Sequence, residues 1–393
     1  MSHGGGATRL SCGVQGRNVH AMNQVGCRSR ACLIVLICFC AATWGQQAPQ
    51  ETPNPVLAER PPAKTAPQQR VIAGEGNMQL DVMVADAAGK PVQDLQPWDF
   101  SILDSGKPRK ILTFHAFNDE TVKPDPPVEV ILLIDMVNLP FQQVAFVRDQ
   151  LDAFLRERGG QLKQPTTLIV LTSAGIRVQP RPSVDGNALA GVVHELHGNI
   201  STINSAMGAN GMLERFQRSV HQLANIAENE ANRPGRKLLI WVGPGWPMLD
   251  RPLEGDPARN QRSSFASIVE LSNRLREARI VLDSVAPGDS SMGSGRLATL
   301  YQAFLKPVLN EKQAATGDLA LKVLVTQTGG LILGPDNDLA GQIDRCVADA
   351  NAFYRLSFDG VKAAHVDEFH DLKVVVNKPG TTVRTNTGYY AEP

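Results

Sequence analysis

Apolar and polar positions change their rhythm twice along the chain, and each change marks a boundary. In MQLDVMVAD (78–86) they alternate with period two, AAGKPV supplies a turn, and DFSILDSGKPRKILTFHAF gives two more short strands around Asp104-Ser105-Gly106. The Pro-rich stretch VKPDPP (122–127) then breaks the pattern. From Val128 to about residue 350, short apolar runs take turns with helical stripes. VEVILLID is a nearly unbroken apolar run that ends in the carboxylate of Asp135, which suits a strand buried on both faces. FQQVAFVRDQLDAFLRER repeats its apolar residues at helical spacing, and TTLIVLTSAGIRVQP reads as two strands around Ser173–Gly175. Two amphipathic helices follow, in GNALAGVVHELHG and MLERFQRSVHQLANIAENEAN. RKLLIWVG is a further buried strand stopped by GPGWP, and the helix of SFASIVELSNRLREA feeds the strand RIVLDSVAP. DLALKVLVTQTGG and LAGQIDRCVADA predict two helices around LILGP. The period then returns to two in FYRLSFDG, HDLKVVVNKPG and TTVRTNTGYY.

Strands alternating with helices at this spacing predict a mostly parallel sheet covered on both faces. In such sheets ligands lie beyond the carboxyl ends of the strands. Asp135, Gly243–Trp246 and Asp283 fall at or near those ends. The C-terminal strands are too few for a core of their own, so they pack on the main body or pair with the N-terminal strands. The expected division is 71–123 for a small N-terminal β module, 124–352 for the α/β domain and 353–393 for the returning strands. No internal repeat is visible.

Composition refines this reading mainly at the N-terminus. With 42% hydrophobic and 20% charged residues, the 393-residue chain is too apolar for wholesale disorder, and its formal charge of zero gives no electrostatic case for a nucleic-acid partner. Arg28 and Arg30 precede the twelve-residue apolar run Ala31–Ala42, with small residues just after it. That is the pattern of an export signal over 1–45, and it falls short of the ~18–20 residues a bilayer span needs. Met22 offers an alternative start with a more ordinary charged lead-in. Residues 46–70, rich in Pro and Gln, read as a disordered linker. Cleavage after Gly45 would leave 35 basic and 39 acidic residues and a single cysteine, Cys346. No internal disulfide or cysteine-based zinc site is then available. The expected location is periplasmic, extracellular or cell-surface, with no membrane span after cleavage.

Motifs that carry chemistry are sparse. HELH (194–197) spaces its histidines three apart, whereas zinc proteases need four. His365 and His370 flank HVDEFH, which reads as a solvated hairpin loop. Ser291-Met292-Gly293-Ser294-Gly295 lacks the spacing of a hydrolase elbow, and Gly243-Pro244-Gly245 is too short for a phosphate cradle. Trp246 and Met248, within VGPGWPML, either form an apolar contact spot on the functional rim or fold down into the sheet top.

Five segments in order carry a resemblance: DAAGKPVQDLQPWDFSILDSGKPRKILTF, VEVILLIDMVN, GRKLLIWVGPGWP, ANAFYRLSFDG and HDLKVVVNKPGTTVRTNTGYYAEP. Together, over roughly 75–390, the chain resembles the von Willebrand factor A (VWA) family, and within it the secreted VWFA-related proteins of acidobacteria. The resemblance implies an α/β, VWA-like (Rossmann-like) fold with six mostly parallel strands, one antiparallel edge and helices on both faces. Many A domains also hold a divalent cation through an Asp-x-Ser-x-Ser loop, a threonine and an aspartate after the fourth strand. In this sequence Asp135 takes the first loop position, but Val137 and Leu139 replace the serines, and Val242–Gly245 offers no carboxylate. The threonine falls at Thr202. Magnesium or calcium would have only Asp135, Thr202 and the Asn138 amide, against the six or more oxygens such ions take. No cofactor is therefore expected.

Asp135 is left to accept backbone N–H groups of its own turn, or to meet a basic group of a partner. The expected function is an exported, non-catalytic protein-binding or adhesion module with a degenerate metal site. Its binding-face candidates are Asp135, Asn138, Thr202, Trp246 and Met248. The alternatives are a magnesium- or calcium-dependent adhesion domain using Asp135, and an envelope hydrolase using Asp135, Asp283 and a histidine.

Overall fold

In the computed structural model, residues 77–118, 122–196, 208–249, 256–288 and 299–393 are described. The expected signal segment, the Pro/Gln linker, Thr202, His197 and most of the loop after Pro287 lie outside them.

The central sheet begins with β5 (Glu129–Asp135), all seven of whose residues are buried. It is flanked by β6 (Gln161–Thr172) and β9 (Lys237–Val242), both parallel to it. Outside β9 run β10 (Ile280–Pro287) and β11 (Ile332–Asp336), also parallel. On the other side β7 (Gly175–Val178) returns antiparallel along β6, and the short β8 (Ser183–Asp185) joins β6 lower down. The resulting order, β11-β10-β9-β5-β6-β7, is the doubly wound 3-2-1-4-5-6 arrangement read from its far edge. The mostly parallel α/β sheet with an antiparallel edge is therefore present, its six-stranded path joined by the short β8 as a seventh strand.

Six α-helices cover the sheet among the described residues. On one face lie α1 (Phe141–Arg156), α2 (Gly186–His194) and α6 (Leu339–Asn351), which bury Leu151, Val193 and Ile343 against Leu132 and Ile240. On the other lie α3 (Gly208–Ala231), α4 (Pro257–Glu277) and α5 (Leu321–Gln327), which bury Leu223, Leu271 and Leu324 against Leu133 and Trp241. Alternate residues of one strand thus serve two cores, and this is why the strands carry almost no polar positions.

The chain's flanks build a second core together. β1 (Asn77–Ala85) pairs antiparallel with β12 (Phe353–Asp359), whose other edge takes β4 (Thr113–Phe117). β14 (Thr382–Arg384) completes that sheet beside β1. A second sheet has β13 (Glu368–Val376) between β2 (Phe100–Asp104) and β15 (Gly388–Ala391), with β3 (Lys107–Arg109) beyond β2. Leu80, Phe100, Ile102, Leu356, Phe358 and Tyr389 meet in the core these two sheets share. The N-terminal module thus has four strands. The two strands expected around Asp104-Ser105-Gly106 are β2 and β3, and Lys110–Leu112 separates them from the further strand β4.

The C-terminal strands touch both cores. On β15, Tyr389 points into the flanking core, and its neighbour Tyr390 packs with Phe265 of α4 in the α/β core. Ions tie the two cores as well. Asp81 of β1 accepts from Arg279 at 2.6 and 2.9 Å and from Arg355 at 3.3 Å, with the buried Arg236 guanidinium 3.9 Å away. Arg236 also donates to the Asp349 carbonyl and lies over the Phe353 ring.

Candidate functional site

The sheet top, where ligands of such folds bind, starts from the carboxylate that ends β5. Asp135 is completely buried, and its oxygens face N–H groups. Oδ1 accepts from the backbone of Val137 at 3.2 Å and of Asn138 at 3.0 Å. The Asn138 side-chain amide bridges both oxygens at 3.1 and 2.9 Å and reaches Ser219 Oγ on α3 at 3.0 Å. Oδ2 takes the fourth donor group, the indole N–H of Trp241, at 2.9 Å. Burial raises the Asp135 pKa, and these hydrogen bonds from Asn138, Trp241 and the turn oppose the rise. The strand thus ends in a loop tied by its own carboxylate.

Val137 and Leu139, where the resemblance leads one to expect serines, turn inward and are buried. Above them sits the segment after β9. Gly243 has φ 150°, and a Cβ there would stand 2.9 Å from the Asp135 Cβ. Gly245 has φ 74°, and its Cβ would stand 2.6 Å from a Leu321 methyl. Both positions need glycine, because each combines a backbone region L-residues avoid with a contact too close for a side chain. The two turns fold Trp246 back into the molecule. Its ring meets Trp241 edge-on at 5.0 Å, and its N–H donates to the Leu319 carbonyl at 3.0 Å.

Of the two alternatives for Trp246 the inward one is found: it is 5% exposed, since burying its large ring with a satisfied N–H is worth more than leaving it in water, so it is not part of a binding rim. Of the other candidates, Asp135 and Asn138 are buried, Met248 is half-buried, and Thr202 lies outside the described residues. The structure brings Asp135, Asn138 and Trp246 into one knot, with Ser219 and Trp241 as members the sequence did not flag.

A large apolar side chain that does reach solvent at this end is Phe141. It opens α1 directly after the loop that Asp135 ties down, and it is 60% exposed. Its position in the apolar stripe of α1 disguised it as a core residue. The stripe is buried only from Val147 onward.

The remaining sequence candidates separate in space. Asp283 lies on the opposite face of the sheet from Asp135, in register with Ile240 and Leu132. It accepts from the Leu331 backbone at 2.6 Å, and burial beside Asp349 pushes its pKa up to about 7. The two carboxylates thus do not converge. His194, at the end of α2, pairs with Asp152 at 2.9 Å. His370 requires a correction. It is not in a solvated loop but on β13, buried against Asp104 at 3.2 Å and the Tyr389 hydroxyl at 3.2 Å, because period two turns it into the flanking core. Among the described residues, no group of three or more His, Cys, Asp or Glu side chains is placed to hold a metal ion.

No protein-family model matches the chain, and no curated protein matches its sequence. Solved structures align with it weakly. The human COPII-coat protein Sec24c and the pilus adhesin SpaC from Lactobacillus rhamnosus GG each share 10% identity at a TM-score of 0.31, covering 71% and 75% of this chain. The chain spans about half of each, 46% and 48%. The SpRpn10 VWA domain aligns over 55% of this chain and 95% of its own, at 13% identity and a TM-score of 0.24. Scores this low carry no argument, and the α/β assignment rests on the strand order above.

Proposed function

We propose that this chain is an exported, non-catalytic protein-interaction module of the secreted VWFA-related kind, whose sheet top engages a partner protein without a bound cation. The observation that supports it is the juxtaposition at the end of β5. A carboxylate closed off by four N–H donor groups leads straight into an exposed phenylalanine.

A divalent ion is held by oxygen lone pairs. Here the lone pairs of Asp135 are directed at hydrogens, its neighbours at the serine positions are hydrocarbon, and the Asn138 amide presents its NH2 group. The residues present do not fit a cation, and no step of the function passes through one. Recognition then falls to shape and apolar contact. Aromatic side chains emerging from a rigid scaffold are frequent anchors of protein interfaces, where one ring can carry 2 kcal/mol or more, on the order of a thirtyfold change in affinity. Phe141 meets that description on a helix fixed by its neighbours α2 and α6. A hydrolytic role finds less support, since Asp135 and Asp283 sit on opposite faces of the sheet.

The test has two arms. Calorimetric titration with magnesium or calcium chloride is expected to give no heat of binding at sub-millimolar concentrations. The immobilised chain is expected to retain its envelope partner in EDTA and to lose it by tenfold or more on Phe141→Ala. A sub-millimolar site that Asp135→Ala abolishes would overturn the cation-free reading. Capture that is indifferent to Phe141→Ala would overturn the aromatic anchor.

A further inference from the structure

Away from the sheet top, helices α3 and α4 leave a cleft of about 480 Å³ between them. Both helices feed the foot of a parallel strand, β9 and β10, so they run the same way across the same face of the sheet. Their buried sides are ordinary core. The cleft side is not. From α3 it receives Gln217, His221 and Asn225, and from α4 Ser263 and Ser267. None of these five side chains is engaged in a hydrogen bond or ion pair among the described residues. Beneath them the floor is apolar, with Val220 and Leu271. At the foot the cleft becomes charged. Arg274 lies between Glu228 at 3.0 Å and Glu270 at 2.7 Å, which leaves that end with one excess negative charge.

We propose that this cleft binds an extended peptide segment of a partner protein, with a basic residue at the end nearest Glu228 and Glu270. The inference rests on the interaction role proposed above and places a second contact within it.

Three features argue for this occupant. The first is spacing. Gln217, His221 and Asn225 recur every fourth residue on one helix, about 6 Å apart along its axis. An extended chain repeats its outward-facing backbone groups every second residue, at about 6.6 Å. One row of side chains can therefore follow one edge of a peptide without falling out of step over three contacts.

The second feature is chemistry. Amides both donate and accept, as peptide groups do, and the hydroxyls of Ser263 and Ser267 adapt to either role on the facing wall. The amides and hydroxyls carry no charge, which suits a neutral backbone. The serines are also small, so α4 leaves room for a backbone at that level. The third is the foot: two carboxylates against one guanidinium suit an incoming lysine or arginine. From Gln217 to Glu228 the helix rises about 16 Å, the length of about five extended residues at 3.3 Å each.

Random heptapeptides displayed on phage and panned against the chain supply the probe, and the enriched sequences are then measured as fluorescein-labelled peptides by anisotropy. The enriched set is expected to carry a lysine or arginine at one end. Binding is expected to fall tenfold or more in Gln217→Ala/Asn225→Ala and in Ser267→Trp, which fills the cleft, and to weaken on Glu270→Lys. Circular dichroism checks that each variant is folded. Phe141→Ala must leave peptide binding unchanged, which separates this cleft from the sheet top. No enrichment, enrichment of acidic or uncharged ends, or binding that survives both cleft variants would overturn the proposal. So would binding lost only on Phe141→Ala.

Discussion

Two buried aspartates in the α/β sheet show how environment sets the work of a residue. Asp135 is surrounded by N–H donors and so can hold a tight loop. Asp283 has one backbone donor and the Cys346 thiol to set against complete burial and the Asp349 carboxylate nearby. Its pKa of about 7 lies well above the ordinary carboxylate range. Between about pH 4 and 7 the folded chain therefore binds a proton that the unfolded chain has released, and stability falls as pH rises through that window. Above it, folding bears the full penalty of a buried charge. Asp283→Asn keeps an acceptor for Leu331 and removes that charge. It is expected to stabilise the protein at pH 8, on the order of 1–3 kcal/mol, and by less at pH 5. Urea unfolding at the two pH values reads the difference. A variant equally stable relative to wild type at both would mean that Asp283 does not titrate in this range.

At the scale of elements, the segment after β9 decides the character of the sheet top. Gly-Pro-Gly was legible as a turn, but only packing shows why glycine stands on each side of the proline. Gly243 lets the chain pass over Asp135, and Gly245 lets it turn beneath Leu321, so that Trp246 can enter the core. Gly243→Ala is expected to cost about 2 kcal/mol or more, because it adds a steric conflict to an unfavourable backbone angle. The same substitution at Gly191, on α2, meets nothing within 4 Å and sits in a helix, where alanine is favoured. It is expected to be neutral or stabilising by about 1 kcal/mol. Paired thermal melts separate the two, and tryptophan fluorescence reports whether Trp246 has left its pocket.

For the molecule as a whole, the joint between the flanking β core and the α/β core combines an ionic cluster around Asp81 with aromatic contacts, among them Phe353 beneath Arg236 and Tyr390 against Phe265. The three guanidiniums of Arg279, Arg236 and Arg355 around Asp81 hold its carboxyl below the usual range, against the effect of burial. For an acid shifted this way, the stabilisation is complete above about pH 4 and is lost as pH falls through the folded pKa. Asp81→Ala would leave three cations without their shared partner, a loss of about 3–5 kcal/mol when a buried pair is broken on one side. It is expected to split unfolding into two transitions, seen as separate midpoints for Trp241/Trp246 fluorescence and for far-ultraviolet circular dichroism. One coincident transition at the wild-type midpoint would show that the Asp81 cluster is not what couples the two cores.

Local pattern determined the α/β class, strands β5, β6, β7, β9 and β10, the helices between them and the return to strands near residue 353, whereas the short β8 and β11 carry too little pattern to be read as strands. It did so because a strand covered on both sides must be apolar throughout, and a helix covered on one side must be apolar at helical spacing. The oxygen-poor sequence around Asp135 was legible for the same reason, since hydrocarbon at two expected donor positions needs no coordinates to recognise. Tertiary structure alone decided that Trp246 turns inward, that Phe141 stays out, that His370 is buried and that Asp283 faces away from Asp135. It also decided that strands nearly 300 residues apart share one core, as Leu80 and Leu356 do. Burial of an individual side chain and the pairing of distant strands depend on which surfaces meet once the chain has closed on itself, and that information is not carried by any short window of sequence.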